Sequence, residues 1–159
     1  MSGSLAGRRL LIIGGGTRDI GDPDAPPGNG RAVAIAASRE GASVAVTDLD
    51  ARAAQVTAEL AAAEGPAAYH RAIDSAAASS GSDSVSWAID VLGGIDGVVL
   101  NVGIGAGVGM AGTTVQEWDT VFAVNVRAHF LTLQAALPVM TEGSSSVLIS
   151  SVAGLRPGS

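Results

Sequence analysis

Five strand-like runs, separated by longer helix-forming stretches, set what this chain can fold into. The first, Arg9-Leu10-Leu11-Ile12-Ile13, closes on Gly14-Gly15-Gly16. Ser43–Thr47 is the second and ends at Asp48-Leu49-Asp50. Ala67–Ile73, Gly97–Asn101 and Ser145–Ser150 read as the third, fourth and fifth. Short apolar runs bounded by turn formers are how strands buried on both faces read. Alternation with helices calls for βαβ units and a parallel sheet.

The helices are read at Gly30–Gly41, Ala51–Ala63, Asp83–Leu92 and Val115–Leu137. Val33, Ile35 and Ala36 are expected on the inner side of the first, and Gly41 stands where a C-terminal glycine belongs. Gly65-Pro66 stops the second. Val85, Ile89 and Leu92 fall at helical spacing in the third. The Ala/Ser stretch Ser75–Ser82 and the glycine-rich Gly103–Gly112 read as loops. Pro138 ends the long fourth helix.

A length of 159 residues suits a single domain. Aromatic residues make up 3% of the chain, so its core has to be built from Ala, Val, Leu and Ile. A net charge of −6 argues against a nucleic-acid partner. No apolar run of membrane-spanning length is interrupted by neither a charge nor a turn former, so no membrane segment is expected. Met1–Leu5 carries no basic region ahead of an apolar stretch, so no signal peptide is expected either. Cysteine is absent, which excludes disulfides, thiolate metal ligands and a cysteine nucleophile. No metal site is expected, and the expected location is cytoplasmic.

A first strand, then glycines, then a helix is the geometry that binds a diphosphate. Glycines let the backbone turn tightly and approach the ligand, and the helix start presents free N–H groups and a positive dipole end. The fold expected is therefore α/β: a Rossmann-type doubly wound parallel sheet in three α/β/α layers. Residues 1–159 would be one NAD(P)-binding domain. Gly14-Gly15-Gly16-Thr17-Arg18 supplies the first half of the glycine pattern, and Gly28-Asn29-Gly30-Arg31-Ala32-Val33-Ala34 the second, with Gly15, Gly16, Thr17, Gly28, Asn29 and Gly30 as the expected cofactor contacts. Residues 19–27 then form an insertion, read either as an exposed flap or as a loop without a role. An alternative places Asp19-Ile20-Gly21 on the second half, but Gly30 leads directly into the helix.

Asp48 ends the second strand, eighteen residues after Gly30. A carboxylate there can accept from both ribose hydroxyls and repels a 2′-phosphate. Neither Thr47 nor Leu49 beside it is basic, so NAD is expected in preference to NADP. Asp50 is the better N-cap for the following helix. Asp74 follows the third strand.

Ser150-Ser151-Val152-Ala153-Gly154, Leu100-Asn101-Val102-Gly103 and Asn125 together resemble the short-chain dehydrogenase/reductase family, over Leu10–Gly158. The resemblance implies cofactor contacts from Asp74 (to adenine), Asn101 and Gly103. The family's Asn-Asn-Ala-Gly motif is matched only at those last two positions. It implies catalytic roles for Ser151, whose hydroxyl would polarise a carbonyl, and for Asn125, which would kink its helix and hold a water in a proton relay. Ser150 is expected on the opposite strand face. Trp118, Phe122, Asn125 and His129 are expected on one helical face.

The family's general acid or base is a tyrosine about thirteen positions after the serine, with a lysine four later. A tyrosine needs such a cation nearby to work near neutral pH. Here the only tyrosine is Tyr69, and there is no lysine. The resemblance thus implies the N-terminal portion of an NAD(P)-dependent oxidoreductase acting on a secondary alcohol or ketone, truncated after the fifth strand and inactive alone. It also implies a homodimer or homotetramer at full length, and an apolar strand edge and helix face left uncovered. A non-catalytic nucleotide-binding or sensor module and an enoyl-thioester reductase remain as alternatives. His70 and His129 are read as structural or surface residues.

Overall fold

The computed structural model describes residues 3–18, 21 and 25–155. The chain runs β1 (Arg9–Ile13), α1 (Asn29–Arg39), β2 (Ser43–Asp48), α2 (Ala51–Ala62), β3 (Ala68–Ala72), α3 (Ser80–Leu92), β4 (Gly97–Leu100), a short α4 (Gly109–Gly112), α5 (Val115–Phe122), a π-helical segment (Ala123–Arg127), α6 (Ala128–Ala136) and β5 (Ser145–Leu148). A 3₁₀ turn follows at Val152–Gly154.

The strands form one parallel sheet ordered β3-β2-β1-β4-β5. Strand side chains alternate between faces, so each central strand feeds two cores. Leu11 and Ile13 of β1, with Val98 and Leu100 of β4, pack against Val85 and Ala88 of α3 and Ala136 of α6. Ile12, Val44, Val46 and Val99 point the other way, against Ala34 and Ala37 of α1 and Ala61 of α2. This is the doubly wound, three-layer α/β architecture. Alanines at the helix contacts let the helices lie close to the sheet. Winding reverses between β1 and β4, and the crevice beyond the strand ends there is where such sheets bind ligands.

At the opposite end of the central strands, Arg9 clamps Asp96. Nε donates to Oδ2 at 2.8 Å and Nη2 to Oδ1 at 2.9 Å, and the Arg9 backbone N–H adds a bond of 3.0 Å to Oδ2. The guanidinium hydrogen bonds hold the Asp96 carboxyl below its ordinary range, against the opposing effect of burial.

Several boundaries differ from the sequence reading. The buried face of α1 is Gly30, Ala34, Ala37 and Ser38, while Ala36 is exposed. Helix α3 starts at Ser80, inside the stretch read as a loop. A side chain at Gly81 would meet the backbone of Leu131, and Ser80 and Ser84 are buried. The small residues that looked like loop composition are what lets α3 approach α6. Within 103–112, Gly109–Gly112 forms one helical turn.

The long fourth helix is interrupted. The Ala128 N–H reaches Ala123 O, a π-type bond that widens one turn. Strand β5 ends at Leu148, two residues early. Residues 19–20 and 22–24 of the insertion lie outside the described residues. Among the described residues, no helix is long and apolar enough to cross a membrane.

Candidate functional site

The glycine turn after β1 is held from several sides. Gly14 has φ +78°, a conformation that favours glycine. Its carbonyl accepts from Asn101 Nδ2 at 2.6 Å. The N–H groups of Gly14 and Gly15 both donate to Thr47 O, at 2.9 and 3.0 Å. Thr57 Oγ1 donates to Gly15 O at 2.9 Å. Gly16 N donates to Asp48 Oδ2 at 2.8 Å, and Gly28 N to Thr17 Oγ1 at 2.9 Å. The two halves of the split glycine pattern therefore meet in space.

Side chains are excluded here by contact. A Cβ on Gly30 would run into Gly14 O and lie 2.8 Å from both Asn101 Nδ2 and Gly15 Cα. A Cβ on Gly16 would lie 2.7 Å from Asp48 Oδ2 and 2.9 Å from Ala53 Cβ. Helix α1 opens at Asn29 with Gly28 as N-cap and no side-chain cap. The first intrahelical donor is Ala32 N, to Gly28 O, so the N–H groups of Asn29, Gly30 and Arg31 have no partner inside the helix. A cradle lined by backbone, open to an uncapped helix start, fits the diphosphate of a dinucleotide.

Asp48 lies beside this turn at the end of β2. Its Oδ2 accepts from Gly16 and its Oδ1 from Asp50 N at 3.1 Å. Each oxygen keeps a further acceptor lobe. Asp50 caps α2, accepting from Arg52 N and Ala53 N at 2.8 and 3.1 Å. Leu49 next to Asp48 is 73% exposed, an apolar surface at the mouth of the turn. Asp74 closes its own turn by accepting from Ala76 N at 2.8 Å.

A cleft of about 600 Å³ adjoins the turn and is bordered by Asn29, Asn101, Gly103, Asn125, His129 and Ser151, among others. Asn125 sits in the π segment and makes a two-point contact with Ile104: Oδ1 accepts from the N–H and Nδ2 donates to the carbonyl, both at 2.8 Å. His129 Nε2 lies 3.1 Å from Val102 O. The wide turn takes Asn125 out of simple 3.6-residue register with Trp118 and Phe122, which stack on each other at 4.7 Å. Ser150 and Ser151 both border the cleft. The expected alternation fails because β5 has already ended. Tyr69 lies on β3, at the far edge of the sheet.

Sequence reasoning missed Thr47 and Thr57. Thr57 had a signal: it shares the inner face of α2 with Ala54, Ala58 and Ala61, and a hydroxyl on such a face needs a partner. Thr47 acts through its backbone carbonyl, which no side-chain pattern reveals.

A family model described as enoyl-(acyl carrier protein) reductase matches residues 26–159. The chain is 34% identical over 157 residues to 2-(S)-hydroxypropyl-CoM dehydrogenase 3 of Xanthobacter autotrophicus, covering 98% of this chain and 58% of that protein. It is 33% identical over 160 residues to 2,5-dichloro-2,5-cyclohexadiene-1,4-diol dehydrogenase of Sphingobium indicum, covering 99% and 60%. A short-chain dehydrogenase of Burkholderia cenocepacia, solved in complex with NADP, superposes with a TM-score of 0.87 at 30% identity, covering 98% of this chain and 60% of that one. The chain belongs to the short-chain dehydrogenase/reductase family. It spans about 58–60% of the length of these relatives.

Proposed function

We propose that these 159 residues are the dinucleotide-binding part of an oxidoreductase that transfers hydride between nicotinamide and a secondary alcohol or ketone. The observation that carries this is the glycine turn clasped beneath the uncapped start of α1, with the Asp48 carboxylate 2.8 Å from Gly16 N. The α1 N–H groups bind the diphosphate, and Gly15, Gly16, Thr17, Gly28 and Gly30 shape the backbone around it. Asp48 accepts from the ribose hydroxyls and opposes a 2′-phosphate, so NAD is preferred to NADP. Leu49 and Asp74 flank the adenine end. The NADP in the Burkholderia cenocepacia relative makes this preference a point to test.

The bound nicotinamide supplies the hydride donor or acceptor. The Ser151 hydroxyl, at the cleft, polarises the substrate carbonyl. Asn125 spends its amide on Ile104, so it fixes the cleft wall beside Asn101 and Gly103. Tyr69 lies on the edge strand β3, remote from this cleft, and takes no part in it. Small alcohols and ketones fit the dehydrogenase names of the relatives, whereas the description of the matching family model favours an enoyl thioester as second reading. The exposed face of Trp118, Phe122, Val126 and Phe130 suits a subunit contact in a homodimer or homotetramer.

Fluorescence titration with NADH and NADPH tests the reading. Saturable NADH binding, about tenfold or more tighter than NADPH, is expected, with the gap narrowing in Asp48→Ala. Absence of binding to both overturns it.

A further inference from the structure

Peptide units between glycines rotate with little steric resistance, and a turn that must present a fixed backbone loses affinity to that freedom. Here two consecutive peptide units are held at both ends. Gly14 O and Gly15 N are taken by Asn101 Nδ2 and Thr47 O. Gly15 O and Gly16 N are taken by Thr57 Oγ1 and Asp48 Oδ2. Three of these partners stand at strand ends. Thr57 alone comes from a helix interior, fully buried in α2.

A hydroxyl has one proton to give. Thr57 Oγ1 has two acceptors within reach, Gly15 O at 2.9 Å and Ala53 O at 3.1 Å. Arg31 decides between them. Its Nε donates to Thr57 Oγ1 at 2.9 Å, and its Nη2 lies 3.4 Å from Ala53 O. Ala53 O also has the helix N–H four residues on. The Thr57 proton is therefore directed to Gly15 O, and a relay runs from the first turn of α1 through α2 to the glycine turn.

We propose that Thr57 is a positioning residue for dinucleotide binding, which with Asp48 opposite locks the Gly15–Gly16 peptide in its binding orientation. Arg31 sets the polarity of that lock. The inference rests on the dinucleotide reading above and goes beyond it by assigning a role to a residue away from the ligand face.

The test is NADH affinity and apo thermal stability, measured side by side on the 159-residue chain and its variants. Thr57→Val keeps the shape and removes the proton. Its Kd for NADH should rise about tenfold, the scale of one lost hydrogen bond. Thr57→Ser should restore wild-type affinity, and the Gly16 amide should exchange faster in Val than in Ser. A lower Tm with unchanged Kd in Thr57→Val would show a merely structural hydroxyl and overturn the proposal. Should Thr57→Val fail to fold, Arg31→Met decides: a Kd raised about threefold or more supports the relay, and an unchanged Kd overturns it. Failure of the wild-type chain to bind NADH or NADPH would instead remove the dinucleotide reading, and this inference with it.

Discussion

The two sides of the sheet are finished to different degrees. On the β1–β2 side, every residue of Ser43–Asp48 except its two ends is buried, and the glycine turn is bonded to β2, to α2, to Asn101 just past β4 and to Gly28 at the α1 N-cap. On the β5 side, Val147 and Leu148 are 48% and 52% exposed, and Val152 and Leu155 more than 80%. The long helix shows the same imbalance, with Phe130 60% exposed. A site that depends on fixed backbone needs its packing on all sides, and the glycine turn has it. The cleft wall at Ser151 has neighbours on fewer sides. The packing of the glycine turn is thus separable from that of the cleft wall at Ser151, and substitutions should divide accordingly.

The largest effect is expected at Gly30. Gly30→Ala drives a methyl into the Gly14 carbonyl, and neither backbone can yield without moving α1 off β1. We expect loss of measurable NADH binding and about 3 kcal/mol of stability, read by titration and chemical denaturation. A variant that still binds would mean the turn is less rigid than its hydrogen bonds indicate.

Next is Asp96→Asn, at the sheet end away from the site. Losing the charge-assisted pair with Arg9 should cost about 1–2 kcal/mol at neutral pH and leave NADH affinity unchanged. The folded-state carboxyl is held below its ordinary value, so its stabilisation is present above about pH 4 and is lost as pH falls through the depressed folded value. Denaturation of both proteins across that range should show the difference shrinking only in acid.

Thr114→Ala removes the capping box of α5, in which Thr114 and Glu117 bond each other's backbone N–H. About 1 kcal/mol should be lost, with little change in cofactor affinity. The smallest stability change, within about 0.5 kcal/mol, is expected for Leu148→Glu on the exposed strand. Its readout is association: light scattering should show less self-association, because charge on an edge strand opposes pairing.

The buried strands were legible because continuous apolar runs ending in Gly or Asp leave few alternatives. The pairing of Gly14–Thr17 with Gly28–Gly30 was legible from the strand before and the helix after, despite the intervening residues. Asp48 and Asp50 could be separated because only one stands at the cap position. Elsewhere, composition misled: Ser80 and Gly81 look like a loop until α6 is placed against them. The π turn at Ala123–Arg127 was invisible because residue pattern reports period and not a single widened turn. Thr57 was missed because its partner, the carbonyl of Gly15, lies 42 residues away in sequence.

We propose that the free backbone amides at the α1 start, set above the glycine turn, grip a dinucleotide. The most direct measurement is an NMR titration of the isotope-labelled chain with NADH, read at individual amides. We predict saturating shifts at Gly16, Asn29, Gly30 and Arg31, with the Arg9–Asp96 end of the sheet unmoved. Shifts confined to other surfaces, or none at saturating NADH and NADPH, would contradict it.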